Sequence, residues 1–308
     1  MGTKVFFDHD GGIDDFLSLL LLLTYDHVDL LGISITPADT LIEGALPATR
    51  KILDLVGRSD VTVAAGTLEG RNPFPPSWRV DCLKVNDLPA LNRREPMAPV
   101  SDLSGQEFLA RSLLEAPEPV TVLMTGPLTN LAWALDHHPG VEHKVRELVF
   151  MGGALEVEGN VQEPGHDMTA EWNIYWDPPA AERVFDSTIP ATMFTLDVTN
   201  QVPVTKDFRQ AFGRQCEYPL SAVAGTIWAM TAGWDLVTGL PYFCWDTLTT
   251  SYIAVPDLCT FRDVWCDIVV EGPSEGRTRS VAHGRPVRVA DHVDAGRFYR
   301  HCLRTLQR

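Results

Sequence analysis

Short apolar runs alternate with helix-length amphipathic stretches through the first two thirds of the chain. This alternation predicts an α/β fold, a largely parallel central sheet flanked by crossover helices. A first strand runs from Val5 toward an acidic turn, and residues 16–24 form a helix that is apolar on every side. Further strands are expected at 28–36, 61–65, 120–124, 148–151 and 191–198, with helices near 41–56, 106–114 and 180–185. Residues 206–240 read as helical throughout, and 248–255 as another apolar helix. Strands at 264–270, 278–283 and 287–289 make a small antiparallel set near the C-terminus, closed by a helix at 294–306. Two stretches lack periodicity. Residues 66–99 are Pro-rich and long enough to serve as a lid or binding loop. Residues 155–175 are crowded with polar groups. With no repeats, low-complexity tract or linker, one domain over 1–308 is the simplest organisation.

Composition narrows the function classes. At 308 residues, 45% hydrophobic and 21% charged, the chain can bury a substantial core. A net charge of −16 argues against a nucleic-acid surface, which needs clustered Lys and Arg. The apolar run at 16–23 is too short to span a bilayer and has no signal-peptide flanks. Six scattered cysteines with no CxxC pair suit reduced thiols in a cytoplasm and suggest no zinc site.

The chemistry concentrates where the first strand ends, in Asp8-His9-Asp10-Gly11-Gly12-Ile13-Asp14-Asp15. One Asp before a helix is ordinarily a cap. Four carboxylates within eight residues repel one another and shift each other's protonation equilibria, which a hard divalent cation with oxygen ligands resolves. The carboxyl end of a central strand is also where open α/β sheets place ligands. An EF-hand register fails, because it puts Ile13 at the turn glycine and Leu19 at the bidentate Glu. Asp39 follows the second strand and serves equally as a helix cap or a site residue. Trp78 anchors the long loop or stacks on a ligand, whereas Trp228 and Trp234 read as packing.

In chain order, Asp8-x-Asp10-x-Gly12-x-Asp14-Asp15 is followed by Thr125-Gly126-Pro127-Leu128-Thr129-Asn130 and Met151-Gly152-Gly153. Gly159-Asn160, Glu171-Trp172-Asn173 and Trp245-Asp246 complete the set. Taken together the series resembles the nucleoside hydrolases over essentially the whole chain. Trp245 stands before the late Asp where nonspecific members carry His, so the sequence is similar to the purine-preferring inosine-adenosine-guanosine branch. Gly12 departs from those members of the branch that carry Asn there.

The resemblance implies a Rossmann-like fold and calcium-dependent hydrolysis of purine ribonucleosides to base and ribose. It further implies that Asp10, Asp15, Asp246 and the Thr125 carbonyl hold Ca²⁺, with Asp10 as general base on water at the ion. Asp14, Asn160, Glu171 and Asn173 would hydrogen-bond the ribose, and Met151 would also contact the substrate. Trp78, Trp172 and Trp245 would line the base pocket, with Trp78 and Trp245 as a stacking pair. Asp39 would be an acid or a polar contact near the ribose 5′ side. Members commonly form dimers or tetramers. Two alternatives are a haloacid-dehalogenase-type phosphatase using Mg²⁺ and a non-catalytic nucleoside-binding protein. Gly12, the Asp14-Asp15 pair and Trp245-Asp246 all disfavour the phosphatase.

Overall fold

A computed structural model describes residues 2–308. Its nine strands form a continuous sheet: β1 (Thr3–His9), β2 (Val28–Ile35), β3 (Val63–Ala65), β4 (Val120–Met124), β5 (Val145–Met151), β6 (Ala191–Phe194), β7 (Cys259–Ile268), β8 (Thr278–Ser280) and β9 (Arg285–Val293). The spatial order is β3-β2-β1-β4-β5-β6-β9-β7-β8. Pairing is parallel from β3 through to β9 and antiparallel where β7 joins β9 and β8. The chain travels outward from β1 through β2 and β3, then returns to lay β4 against the other side of β1. The reversal opens a crevice at the carboxyl ends of β1 and β4.

Both faces of the sheet are covered, and alternation along β1 divides its side chains between them. Val5 and Phe7 join one core with the helix Ile13–Leu23, while Phe6 joins the other with the helices Gly105–Glu115 and Thr129–His137. The helix Ile13–Leu23 is buried along almost its whole length, as its all-round apolar sequence requires, and packs against the helix Trp245–Ser251.

Four expectations need adjustment. The strand at 191–198 stops at Phe194, and Leu196–Thr199 is a helical turn, because the Asp197 carboxylate accepts the Leu155 and Glu156 N–H groups and anchors that turn. The helix expected over 206–240 is three pieces, Lys206–Gly213, Pro219–Ala229 and Trp234–Thr238. Pro219 sits at the first position of the second piece, where its missing N–H costs nothing, and Gly233 at φ +84° turns the chain into the third. The loop at 66–99 contains two short helices, Pro76–Arg79 and Asp81–Asn86. The late helix begins at Trp245, so Trp245 and Asp246 lie in its first turn rather than ahead of it.

Candidate active site

Two close backbone approaches build the crevice. Gly11 adopts φ +76°, and a Cβ there would sit 2.6 Å from Thr40 Oγ1. Gly126, leaving β4, lies so near β1's exit that a Cβ would fall 2.7 Å from Asp10 Cβ. Both positions require glycine to bring Asp10 and Thr125 together. The resulting cavity has a volume of about 800 Å³, within the range of small-molecule sites. Every candidate residue from the sequence lines it: Asp10, Asp14, Asp15, Asp39, Trp78, Thr125, Met151, Asn160, Glu171, Trp172, Asn173, Trp245 and Asp246.

Asp8 reads in sequence like its neighbours, yet it does not line the cavity. It is held inside the fold by Ser34, by Thr36 Oγ1 at 2.9 Å and by Asn130 Nδ2 at 2.8 Å. Burial pushes its carboxyl up to about 7.

The remaining carboxylates form a connected cluster. Asp15 accepts the Gly12 N–H at 2.7 Å and the Thr125 hydroxyl at 2.5 Å. Asp10 accepts the Asp39 N–H at 3.3 Å. Asp14 accepts the Tyr242 hydroxyl at 2.7 Å on one oxygen and the Asp246 N–H at 3.0 Å on the other. Asp14 and Asp15 occupy the first turn of one helix and Asp246 the first turn of another, where unpaired N–H groups and the helix dipole favour negative charge.

That support is partial. Burial, and then the neighbouring Asp15 charge, push Asp10 and Asp39 well above the ordinary carboxylate range. Burial and the Asp14 charge do the same to Asp246. Asp14 itself is raised to about 6 by burial and Asp15. Among the described residues no Lys, Arg or His lines the cavity, so none of them balances these groups from within it. Among the described residues no three Asp, Glu, His or Cys side chains converge into a preformed cage. The donor chemistry nevertheless fits a hard cation: buried oxygen donors of like charge, joined by the Thr125 carbonyl at the mouth of β4.

Beside the acids, Glu171 accepts the Gly153 and Asn173 N–H groups, each at 2.9 Å. Burial raises it to about 7. Asn160 accepts the Trp172 N–H through its side chain and the Trp172 indole N–H through its carbonyl, both at 3.1 Å.

The opposite wall is aromatic. Successive ring centroids from Phe74 to Trp172, Trp78, Trp234, Tyr242, Trp245 and Phe243 lie 5.0, 5.4, 5.3, 5.2, 4.7 and 5.7 Å apart. Trp78 and Trp245 are thus joined through Trp234 and Tyr242. Trp228 is core packing, whereas Trp234, expected to be packing as well, also faces the cavity. The sequence reading missed Trp234 and Tyr242. For Tyr242 the signal was its position four residues before Asp246; for Trp234 no local signal separates a wall residue from a core residue.

A family model described as inosine-uridine preferring nucleoside hydrolase matches residues 5–300. The chain is 32% identical over 285 residues to the pyrimidine-specific ribonucleoside hydrolase RihA of Citrobacter koseri, covering 88% of this chain and 86% of that protein. It is 31% identical over 292 residues to RihA of Escherichia coli, covering 90% and 88%. Among solved structures, the inosine-uridine preferring nucleoside hydrolase from Bacillus anthracis superposes with a TM-score of 0.94 at 40% identity, over 99% of both chains. A purine-preferring ribonucleoside hydrolase from Gardnerella vaginalis gives 0.81 at 26%, over 99% and 98%. These matches remove the phosphatase alternative. The relatives include both base preferences, so they do not single out the purine branch. The shared architecture, the acidic crevice and the family match together identify this chain as a member of the inosine-uridine preferring nucleoside hydrolase family, an enzyme that hydrolyses the N-glycosidic bond of nucleosides.

Proposed function

We propose that this enzyme is a calcium-dependent, purine-preferring ribonucleoside hydrolase that works as one domain over residues 1–308. The observation that carries the purine reading is the cavity wall, seven linked aromatic rings with no imidazole or ammonium acid among the lining residues. A leaving purine can accept a proton on its imidazole ring, and indole faces favour the resulting cation by ~1–2 kcal/mol per desolvated ring. A leaving pyrimidine has no such ring and depends more on a protein acid.

In this reading Asp10 takes a proton from water as the water oxygen bonds to the anomeric carbon. The glycosidic electron pair leaves with the base, whose imidazole nitrogen takes a proton from solvent, and Asp10 returns its proton to solvent. Asp14, Asn160, Glu171 and Asn173 hold the ribose hydroxyls, and their negative charge and dipoles oppose the positive charge that develops on the sugar. Met151 and Trp172 contact the nucleoside, and Trp78 and Trp245 flank its base. Burial, and then the Asp15 charge, raise the Asp39 carboxyl well above the ordinary range, and its Oδ1 has no partner in the protein, which suits an acid or a polar contact to the substrate. Asp10, Asp15, Asp246 and the Thr125 carbonyl would hold the Ca²⁺, which supplies a lowered water pKa and a template for the ribose diol.

A homodimer or tetramer and a cytoplasmic setting belong to the same proposal. Among the described residues no helix is long and apolar enough to cross a membrane. Pyrimidine cleavage is the second reading, favoured by the identity to the RihA proteins. The test is base and reducing sugar released from inosine and uridine, with Ca²⁺ and with chelator. Inosine cleavage far above uridine cleavage, lost on chelation, is the expected result. Uridine cleavage equal to or above inosine cleavage overturns the purine reading and leaves the hydrolase.

A further inference from the structure

We infer that Tyr242 is a positioning residue that sets the ribose-side carboxylate Asp14 through its hydroxyl and the base-side indole Trp245 through its ring. The inference rests on the proposed role of Asp14 at the ribose. The Tyr242 hydroxyl donates to Asp14 Oδ1 at 2.7 Å, a buried hydrogen bond in the cavity wall. Its ring meets Trp245 edge-on with centroids 4.7 Å apart, and Trp234 at 5.2 Å.

Tyr242 is itself firmly placed. Its carbonyl accepts the Val204 N–H at 2.7 Å, and two residues on, Cys244 N–H donates to the Val202 carbonyl at 3.0 Å. The extended segment entering the helix Trp245–Ser251 is therefore stitched to residues 202–204. That helix has no side-chain cap of its own from Cys244. Asp14 supplies one from the other end of the chain by accepting the Asp246 N–H at 3.0 Å. One Asp14 oxygen is thus fixed by the backbone and the other by Tyr242. An ionised carboxylate has about four acceptor sites, so both oxygens keep capacity for a ribose hydroxyl, now in a single orientation. Such supporting contacts hold a reacting geometry at little cost when substrate arrives.

The test compares wild type with Tyr242→Phe, which keeps the ring and deletes only the hydroxyl. Two substrates separate the two ends of the site: inosine, and a p-nitrophenyl riboside whose leaving group needs no protonation. The expected result is a loss in kcat/KM of about 10- to 100-fold on both substrates, with Tm held within a few degrees, the size of one hydrogen bond to a charged group. The loss should lie mainly in kcat, since misaligned ribose contacts act on the transition state. A loss on inosine alone would place the effect in the aromatic wall and overturn the link through Asp14. Unchanged kinetics on both substrates would overturn it outright. A Tm drop with kcat and KM restored at lower temperature would reduce Tyr242 to a stabilising residue, again overturning it. Wild-type enzyme inactive on every nucleoside and on the riboside would instead bring down the reading of the site, and the proposal with it.

Discussion

Asn173 aims the Thr125 carbonyl. Its side-chain Nδ2 donates to that oxygen at 2.9 Å, and the Met151 carbonyl lies 3.3 Å from the same nitrogen. The carbonyls that end β4 and β5 are thus held by one amide, itself carried by the short helix Trp172–Trp176. A carbonyl has two lone pairs, so Thr125 keeps one for a cation.

Asn173→Ala removes that aim, and with it one proposed ribose contact, while leaving every proposed Ca²⁺ ligand in place. The expected outcome is a fall in Ca²⁺ affinity of about 10- to 100-fold, typical of losing an outer partner of a metal ligand. Calorimetric titration of Ca²⁺ into the variant measures it. Equal affinity in wild type and variant would disconnect Asn173 from the cation.

Stripping the protein with a chelator should abolish base release, and Ca²⁺ should restore it. The proposed cation would bind the folded cluster and offset its like-charge repulsion, so Tm should rise with added Ca²⁺ by mass action. An unaltered Tm and an unaltered rate would show that no cation works here.

Trp245→Ala opens the aromatic wall beside Asp246. Losing one desolvated ring contact to a cation-like base should lower kcat on inosine by about 5- to 30-fold with a smaller change in KM. Steady-state rates on inosine decide it, and an unchanged kcat removes the stacking argument.

Glu171 is the group to read by pH. Burial raises its carboxyl to about 7, so it is neutral below that value and ionised above it. A neutral Glu171 cannot oppose the positive charge that develops on the sugar. For that reason kcat/KM should climb with pH through about 7 and then level off. Glu171→Gln should lower the plateau and erase that limb; a limb that survives the substitution belongs to another carboxylate.

Asn130 lies beneath the site rather than in it. Its Nδ2 donates to Asp8 at 2.8 Å and to Thr36 Oγ1 at 2.9 Å, all inside the core. Asn130→Ala leaves a buried carboxyl short of a donor, which costs ~1–3 kcal/mol. Thermal unfolding should shift down by about 2–8 °C. No shift would mean that a water replaces the amide.

Local spacing alone determined much of this protein. Strand, acidic turn and apolar helix are consecutive from Thr3 to Leu23, so β1, its Gly-rich exit and the two helix-starting acids were legible from a single stretch. The β4 turn at Thr125 and the motif around Glu171 were legible for the same reason. The sequence did not separate Asp8 from Asp10. Only the tertiary neighbours Ser34, Thr36 and Asn130 hold the first carboxylate in the core, while the second lies past the end of β1, on the turn that opens into the crevice.

Nor did it reveal that Trp234 faces the cavity or that Tyr242 meets Asp14 across 228 positions of chain. Hydrophobic period and capping are interactions between residues a few positions apart. The Asp14–Tyr242–Trp245 junction depends on two helices packing side by side and on which strands flank β1. Those are long-range choices made by burial of the whole core, and no short window of sequence contains them.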